Sequence, residues 1–550
     1  MKSRLKLLGL VAAPALVAAP ALVAAVVPAA YAANAPQPHA TTRAAVAGDV
    51  LTGLKQSAAR TGNVAAGKRI SVAISLTPRG GTALDAFVAK VSDPRSSSYG
   101  HYLTKRQFAA RFGRTDSEIK QLTDYLRAQG LTVGTVHSGN LLVDAGGTAA
   151  QVEKAFGTRL STWKDARTGR SFYANDSAPT LPASIASLVG DVAGLNNRVQ
   201  LHHQATPHTV SPHNGPGGGY TPAQLKGGYN VSGTYTGSGQ KIALLEFDGF
   251  QQSNITAYDS HYGLGSPTPT VQKVDGGSGA LGDGQVEVEL DIEVLHAIAP
   301  KANVTVFEGP NSDAGEIDTY QAIVDSGIPT TSISWGAAES ARTTSGINAV
   351  DAVFKAGAAQ GLGFYAASGD SGSDDAGDGG TSVDYPASDP YVTGVGGTQL
   401  TVTSSNAWSK EVAWSGGGGG KSSVFKIPSW QTAVQKSAGG GYRQVPDVSA
   451  HANPSPGVSI YSQGSWTSVG GTSAAAPEWA AFGALYNQQA AAAGKAKLGF
   501  ADPALYSASG TGFHDITSGS NGAYSAGTGW DFTTGWGSYN ASTLASKLLG

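Results

Sequence analysis

A serine and a pair of acids are the residues whose types and spacing could do chemistry together. Ser473 stands in Gly470-Gly471-Thr472-Ser473-Ala474-Ala475-Ala476-Pro477. Glycines ahead of a serine let the chain turn tightly and present the hydroxyl. The alanine run behind it can start a helix, which places Ser473 at a helix N-terminus, where negative charge is favoured. That is a setting for a nucleophile, and equally for an N-capping serine. The acids lie in Val286-Glu287-Val288-Glu289-Leu290-Asp291-Ile292-Glu293-Val294. By periodicity alone this is a β-strand with one acidic face. Two considerations predict a helix instead. Four like charges along one strand face repel. The run also continues through Leu295, His296, Ala297 and Ile298 to Pro300, past common strand length. On a strand, Glu287 and Asp291 would be about 13 Å apart; one helical turn brings them to about 6 Å. Only the helix lets them share a proton. Two close carboxyls in a dry site cannot both ionise easily, so one proton is held to higher pH than usual. Such a pair works best in acid, where a histidine base would be protonated.

Other acids sit where strands should end. Asp370 lies in Ala367-Ser368-Gly369-Asp370-Ser371-Gly372, which follows an apolar run and suits a turn. Glu246 closes the run 241–246, and Trp335 lies in Ser332-Ile333-Ser334-Trp335-Gly336. Strand-end charge and core packing account for these two equally well. The glycine run 416–420 suits backbone lying against an extended ligand, or a flexible loop. Near the C-terminus Asp515-Ile516 is followed by Gly527-Thr528-Gly529-Trp530-Asp531. Two carboxylates plus carbonyls presented by glycine turns suit a hard cation such as calcium.

The elements that must position these residues read as two α/β pieces. Strand patterns at 70–76 and 141–144 alternate with helical patterns at 83–91, 105–130 (broken near Gly113) and 148–156, giving a small α/β domain that ends near Val199. Residues 200–219 read as a solvated linker, with Pro207, Pro212 and Pro216 and four of the chain's 11 histidines. Residues 220–550 carry apolar strands at 241–246, 303–307, 331–334 and 363–367, the pattern of a parallel sheet, whose chemistry gathers at the strands' carboxyl ends.

Composition bounds the function. The 550 residues contain no cysteine, which excludes thiol catalysis, cysteine-zinc sites, iron–sulfur clusters and disulfides. The net charge of −2 hides a division: residues 1–217 hold 23 Lys+Arg and 11 Asp+Glu, and residues 218–550 hold 14 and 28. A basic front and an acidic back are expected to attract each other. No dense basic patch with interleaved aromatics occurs, so no nucleic-acid partner is expected. Lys2, Arg4 and Lys6, the apolar stretch 7–27 and Ala30-Tyr31-Ala32 read as a cleavable export signal over 1–32, leaving no membrane segment in the mature chain.

Gly-Thr-Ser-Ala-Ala-Ala-Pro resembles the serine motif shared by subtilisins and the serine-carboxyl peptidases, the sedolisins. Subtilisins need a histidine, and His261, His296, His451 and His514 lack its glycine–threonine context. Glu-x-x-x-Asp, Gly-Asp-Ser-Gly and the C-terminal loop follow the sedolisin order, while Asp93-Pro94-Arg95-Ser96, Tyr99 and Tyr102-Leu103-Thr104 resemble that family's activation prodomain. The resemblance implies a subtilisin-like parallel sheet flanked by helices, preceded by a small α/β prodomain (33–199), with the peptidase at 220–550. It implies Ser473 as nucleophile, Glu287 as base, Asp291 behind it and Asp370 at the oxyanion. Glu246 and Trp335 would extend the hydrogen-bond chain, and Asp384 would line a specificity pocket. One structural calcium would be held by Asp515, Asp531 and the carbonyls of Ile516, Gly527 and Gly529. The expectation is a secreted, monomeric, acid-acting endopeptidase that cuts polypeptides. Its own prodomain would act as inhibitor and chaperone, cleavage would fall within 200–219, and acid would loosen the prodomain. A tripeptidyl aminopeptidase of the same family, a histidine-dependent subtilisin and a non-catalytic binding protein are the alternatives.

Overall fold

Short apolar runs closed by an acid or a polar turn become strands of a parallel sheet in the computed structural model, which describes residues 42–208, 215–277 and 279–550. The export signal read at 1–32 and residues 209–214 of the linker lie outside the described residues. The strands are β1 (Lys241–Glu246), β2 (Thr270–Lys273), β3 (Asn303–Glu308), β4 (Thr330–Ile333), β5 (Gly363–Ala367), β6 (Thr393–Val402), β7 (Trp408–Ala413) and β8 (Val448–His451). Their order is β2-β3-β1-β4-β5-β6; β6 then pairs antiparallel with β7 and parallel with β8. After β1 the chain crosses to β2 at the sheet edge, comes back through β3 beside β1, then passes to β4 on β1's other side. That reversal opens a crevice at the carboxyl ends of β1 and β4.

Four helices cover the sheet: α1 (Gln285–Ile298), α2 (Asp313–Ser326), α3 (Thr344–Ala359) and α4 (Thr472–Ala492). Successive strand residues point to opposite faces. Ile242, Leu244, Val304 and Val306 accordingly pack with Leu290, Ile292 and Trp479 of α1 and α4. Ala243, Leu245, Phe307 and Phe364 pack with Ile317, Tyr320, Val353 and Phe354 of α2 and α3. Both faces are buried, which is why these strands read as continuous apolar runs rather than as alternation.

The front piece is a second α/β body. Its four-stranded antiparallel sheet runs in the order Thr132–Val136, Leu142–Thr148, Arg69–Leu76, Val189–Ala193. Three of its helices start at capping boxes, Thr104 with Gln107, Thr115 with Glu118 and Thr148 with Gln151, each satisfying two orphan donors. A smaller sheet of Ala58–Asn63, Leu160–Asp165 and Ser171–Asn175 completes it. The first of these strands falls in the alanine-rich stretch, where no apolar alternation marks it.

The two bodies meet mainly through apolar contact. Ala73, Leu142, Ala193, Val199 and Leu201 share a core with α2 and α3. Ion pairs across this junction, among the described residues, are Asp85 with Lys355 (2.9 Å) and His137 with Asp325 (3.3 Å). In the first, the acid belongs to the basic body, so the overall charge difference is not translated into a matching set of contacts. No helix among the described residues is long and apolar enough to cross a membrane.

Candidate active site

Helix α1 is buried along its whole length. Each of its acids must therefore find partners inside or stay protonated. They divide by the helical period. Glu289 accepts hydrogen bonds from the Gln251 amide (3.0 Å), Asn254 Nδ2 (2.8 Å) and Gln285 Nε2 (2.9 Å), and Glu293 accepts one from the Tyr461 amide (2.8 Å). Glu287 and Asp291, one turn apart, face the crevice. The like-charge conflict of the strand reading is relieved because the four acids serve two surroundings.

Behind Ser473 stand three fully buried carboxyls in a row: Glu287, Asp291 and Glu246. Burial raises the pKa of Glu287 well above the usual range, and the Asp291 charge adds to it; the Ser473 hydroxyl pulls the other way. Burial and then Glu246 raise Asp291, opposed by the Ser334 hydroxyl, whose Oγ donates to Oδ1 at 2.9 Å. Glu246, raised by burial and by Glu287, accepts from Trp335 Nε1 at 2.7 Å. Neither Glu287 oxygen has a well-formed hydrogen bond to a protein donor, leaving its lone pairs available to a reacting proton. Glu246 closes β1, and Ser334 and Trp335 follow β4, so the crevice between those strands sets the row in place.

Ser473 is the second residue of α4. Gly471 before it has φ 110°, a left-handed conformation. A Cβ there would fall 1.7 Å from the Gln204 carbonyl oxygen and 2.5 Å from Asp370 Oδ2, so only glycine fits. Asp370 follows β5. Its Oδ1 accepts from the Thr472 amide (2.8 Å) and from Thr472 Oγ1 (2.9 Å). Burial pushes its pKa up to about 7, opposed by the Thr472 bonds. Oδ1 accepts two short bonds and Oδ2 only the longer one from Thr206 Oγ1 (3.3 Å), so Oδ2 is the better place for the proton.

The segment after Leu201 does not behave as a solvated linker. His202 and His203 pair antiparallel with Gly336 and Trp335, and Thr206–His208 pairs antiparallel with Ser468–Gly470. Between these pairings the Gln204 amide donates to Ser473 Oγ (3.1 Å) and to the Ser334 carbonyl (3.3 Å), while Gln204 Nε2 reaches Asp384 Oδ2 (3.4 Å). His203 Nδ1 lies 3.6 Å from Glu287 Oε2. Thr206 Oγ1 donates to Asp370 Oδ2 at 3.3 Å. Composition hid this, because proline and histidine mark an irregular chain whether it lies in solvent or in a cleft. Ser334 was equally hidden; a buried serine beside a tryptophan has no sequence signature. The large-domain histidines are engaged elsewhere: His296 with Asp259 (3.0 Å), His451 with the Leu400 amide (3.2 Å), His514 stacked on Trp408, and His261 against Trp466.

At the C-terminus, both Asp515 oxygens accept from the Gly529 amide (3.1 Å). Asp531 Oδ2 accepts from the Gly527 amide (2.9 Å), and Oδ1 accepts from the Thr533 and Thr534 amides. The carbonyls of Ile516, Gly527 and Gly529 have no hydrogen-bond partner among the described residues. An all-oxygen set of two carboxylates and three free carbonyls around one loop fits calcium chemistry.

Residues 56–198 match the family described as "Pro-kumamolisin, activation domain", and residues 277–537 match "Subtilase family". Kumamolisin of Bacillus sp. (strain MN-32) is 34% identical over 529 residues, covering 89% of this chain and 93% of that protein. The chain belongs to the sedolisin family. Sedolisin of Pseudomonas sp. (strain 101) is 30% identical, covering 90% of this chain and 89% of that protein. A solved Pseudomonas sedolisin, described as a serine-carboxyl proteinase complexed with two molecules of pseudo-iodotyrostatin, superposes with a TM-score of 0.55. It is 29% identical and covers 60% of this chain and 98% of that one. The fold is therefore that of subtilisin-like peptidases with an activation domain in front. This sedolisin-family chain is a serine-type peptidase that acts on peptides, with its prodomain as intramolecular inhibitor. The subtilase match takes in Glu287, Asp291, Asp370 and Ser473 but starts after Glu246, whose place rests on the contacts above.

Proposed function

We propose that this peptidase is a secreted endopeptidase that works in acid and matures from a zymogen. The observation that carries the reading is the row of buried carboxyls behind Ser473, with a protonatable Asp370 opposite. Ser473 Oγ attacks the peptide carbonyl and passes its proton to Glu287, which must be the one ionised member of the coupled row while Asp291 and Glu246 keep their protons. Asp291 and Glu246 hold that base and spread the proton over the row. Asp370 donates from Oδ2 to the developing oxyanion, a contribution of about 10²–10³ in rate for one donor. The amine leaves with a proton, and water then releases the acyl group from Ser473. The donor is lost as pH rises through about 7, where Asp370 ionises.

Endopeptidase action is supported by the cleft itself. The segment 201–208 lies on both sides of Ser473, so a chain extending well beyond either side of the serine is accommodated. A tripeptidyl mode needs a block beyond the third residue upstream; the chain continues there through Leu201, which is buried against the peptidase body. One calcium ion, held by Asp515, Asp531 and the carbonyls of Ile516, Gly527 and Gly529, would tie the C-terminal loop together. Export rests on residues 1–32, and the mature enzyme is read as a monomer.

The deciding experiment is casein turnover between about pH 3 and 8, wild type against Glu287→Gln. An acid optimum lost in the variant is the expected result. Turnover that peaks near neutral pH, or survives the substitution, contradicts the reading. N-terminally blocked and free peptides separate the endo- and tripeptidyl modes: equal cleavage supports the first.

A further inference from the structure

The path of the chain through the cleft singles out one peptide bond. Each peptide unit is planar and trans, so its N–H and C=O point in opposite directions. The Gln204 amide points at Ser473 Oγ and the Ser334 carbonyl. The carbonyl of His203, in the same unit, is therefore turned away from the serine. Two bonds further along lies the carbonyl carbon of Gln204. Its oxygen and Asp370 Oδ2 both fall within 2.5 Å of the point where a Gly471 Cβ would stand. It is thus the carbonyl next to both the hydroxyl and the proton-bearing carboxyl. Thr206 is already paired with Gly470, which carries the following carbonyls away along another strand. The Gln204 side chain reaches the buried Asp384, while His203 lies against Trp335.

We propose that the precursor cuts itself between Gln204 and Ala205, within one molecule, so that the mature enzyme begins at Ala205. This rests on the peptidase reading above and names its first substrate. Ser473 Oγ bonds to the Gln204 carbonyl carbon, and its proton goes to Glu287. The bond from that carbon to the Ala205 nitrogen breaks, and the nitrogen takes the proton to leave as an amine. Water then hydrolyses the ester, leaving a carboxylate on Gln204 and regenerating Ser473. The sum is one peptide bond plus one water giving one acid and one amine.

The test uses the full-length precursor, brought to acid over a hundredfold range of concentration and followed by intact mass and N-terminal sequencing. The expected products end at Gln204 and begin at Ala205, with a first-order rate independent of concentration. Ser473→Ala should leave the chain whole. Ala205→Pro, which removes the leaving N–H group, should slow appearance of this cut by about a hundredfold or more. A synthetic peptide spanning 199–209, added to mature enzyme, should also be cut after its glutamine. If casein is turned over but the first new N-terminus lies elsewhere, or the rate scales with concentration, the proposal is overturned and the peptidase reading stands. If neither casein nor precursor is cut by folded protein, the peptidase reading itself has failed, and this proposal with it.

Discussion

Asp370 can donate to an oxyanion only while protonated, and its pKa of about 7 sets where that ends. Above that pH the donor form falls about tenfold per unit. Asparagine keeps a donor at every pH. Asp370→Asn should therefore keep measurable activity and lose the alkaline fall near pH 7, whereas Asp370→Ala should lose about 10²–10³ in kcat throughout. A pH–rate profile for both variants checks this; an unchanged alkaline limb in the asparagine variant would show that another group controls it. Glu287→Gln removes the proton acceptor and should lower kcat by about 10⁴ or more without unfolding the chain, as circular dichroism would show. Much of this was legible in the sequence, because Glu287, Asp291 and Ser473 carry spacing and context. Ser334 and Gln204 carried neither, since their roles come from backbone paths that bring distant segments together.

At the scale of elements, the helix reading of 285–298 succeeded because like charges on one strand face and excess length both opposed a strand. Strand Ala58–Asn63 was missed because it is a mostly exposed edge strand with only Ala58 buried, so it carries no apolar alternation. Helix α4 holds one acid, buried, that the proposed chemistry does not use. Glu478 is fully buried with neither oxygen hydrogen-bonded, and burial, then Glu411, raises its pKa. A carboxyl whose pKa is raised on folding contributes stability below its unfolded pKa and loses it as pH rises toward the folded value. Glu478→Gln removes that dependence. In a Ser473→Ala background, the variant's melting temperature should gain more over its parent at pH 7 than at pH 4; an equal difference at both contradicts a neutral buried acid.

At the scale of the whole molecule, the same sign applies where the two bodies meet. Asp191, raised to about 6 by burial, and Asp313, raised to about 7 by burial and partly held down by Arg342, lie at that junction with Asn196 bonded to Asp313. Both favour the docked state below the ordinary carboxylate range and lose that contribution as pH climbs through about 6 to 7. The His137 and Asp325 pair opposes this only where acid reaches Asp325, whose pKa the histidine lowers. The sequence-based expectation that acid loosens the prodomain by protonating carboxylates thus has the wrong sign for the buried ones. Uncut Ser473→Ala precursor should resist urea better at pH 5 than at pH 7.5; the reverse order would restore simple charge attraction. Chelation should lower the mature enzyme's melting temperature, with calcium restoring it and Asp531→Asn abolishing the response.

The short strand at Thr206–His208 lies beside Ser468–Gly470, and a cut between Gln204 and Ala205 would leave it covalently tied to the peptidase by the residues that follow it. A tethered competitor of this kind acts at millimolar effective concentration. On the proposed cut, a foreign polypeptide would have to evict it before reaching the nucleophile. On that reading, opening the precursor and working on other proteins would be separate events, with a dead time between them that shortens as outside substrate becomes plentiful.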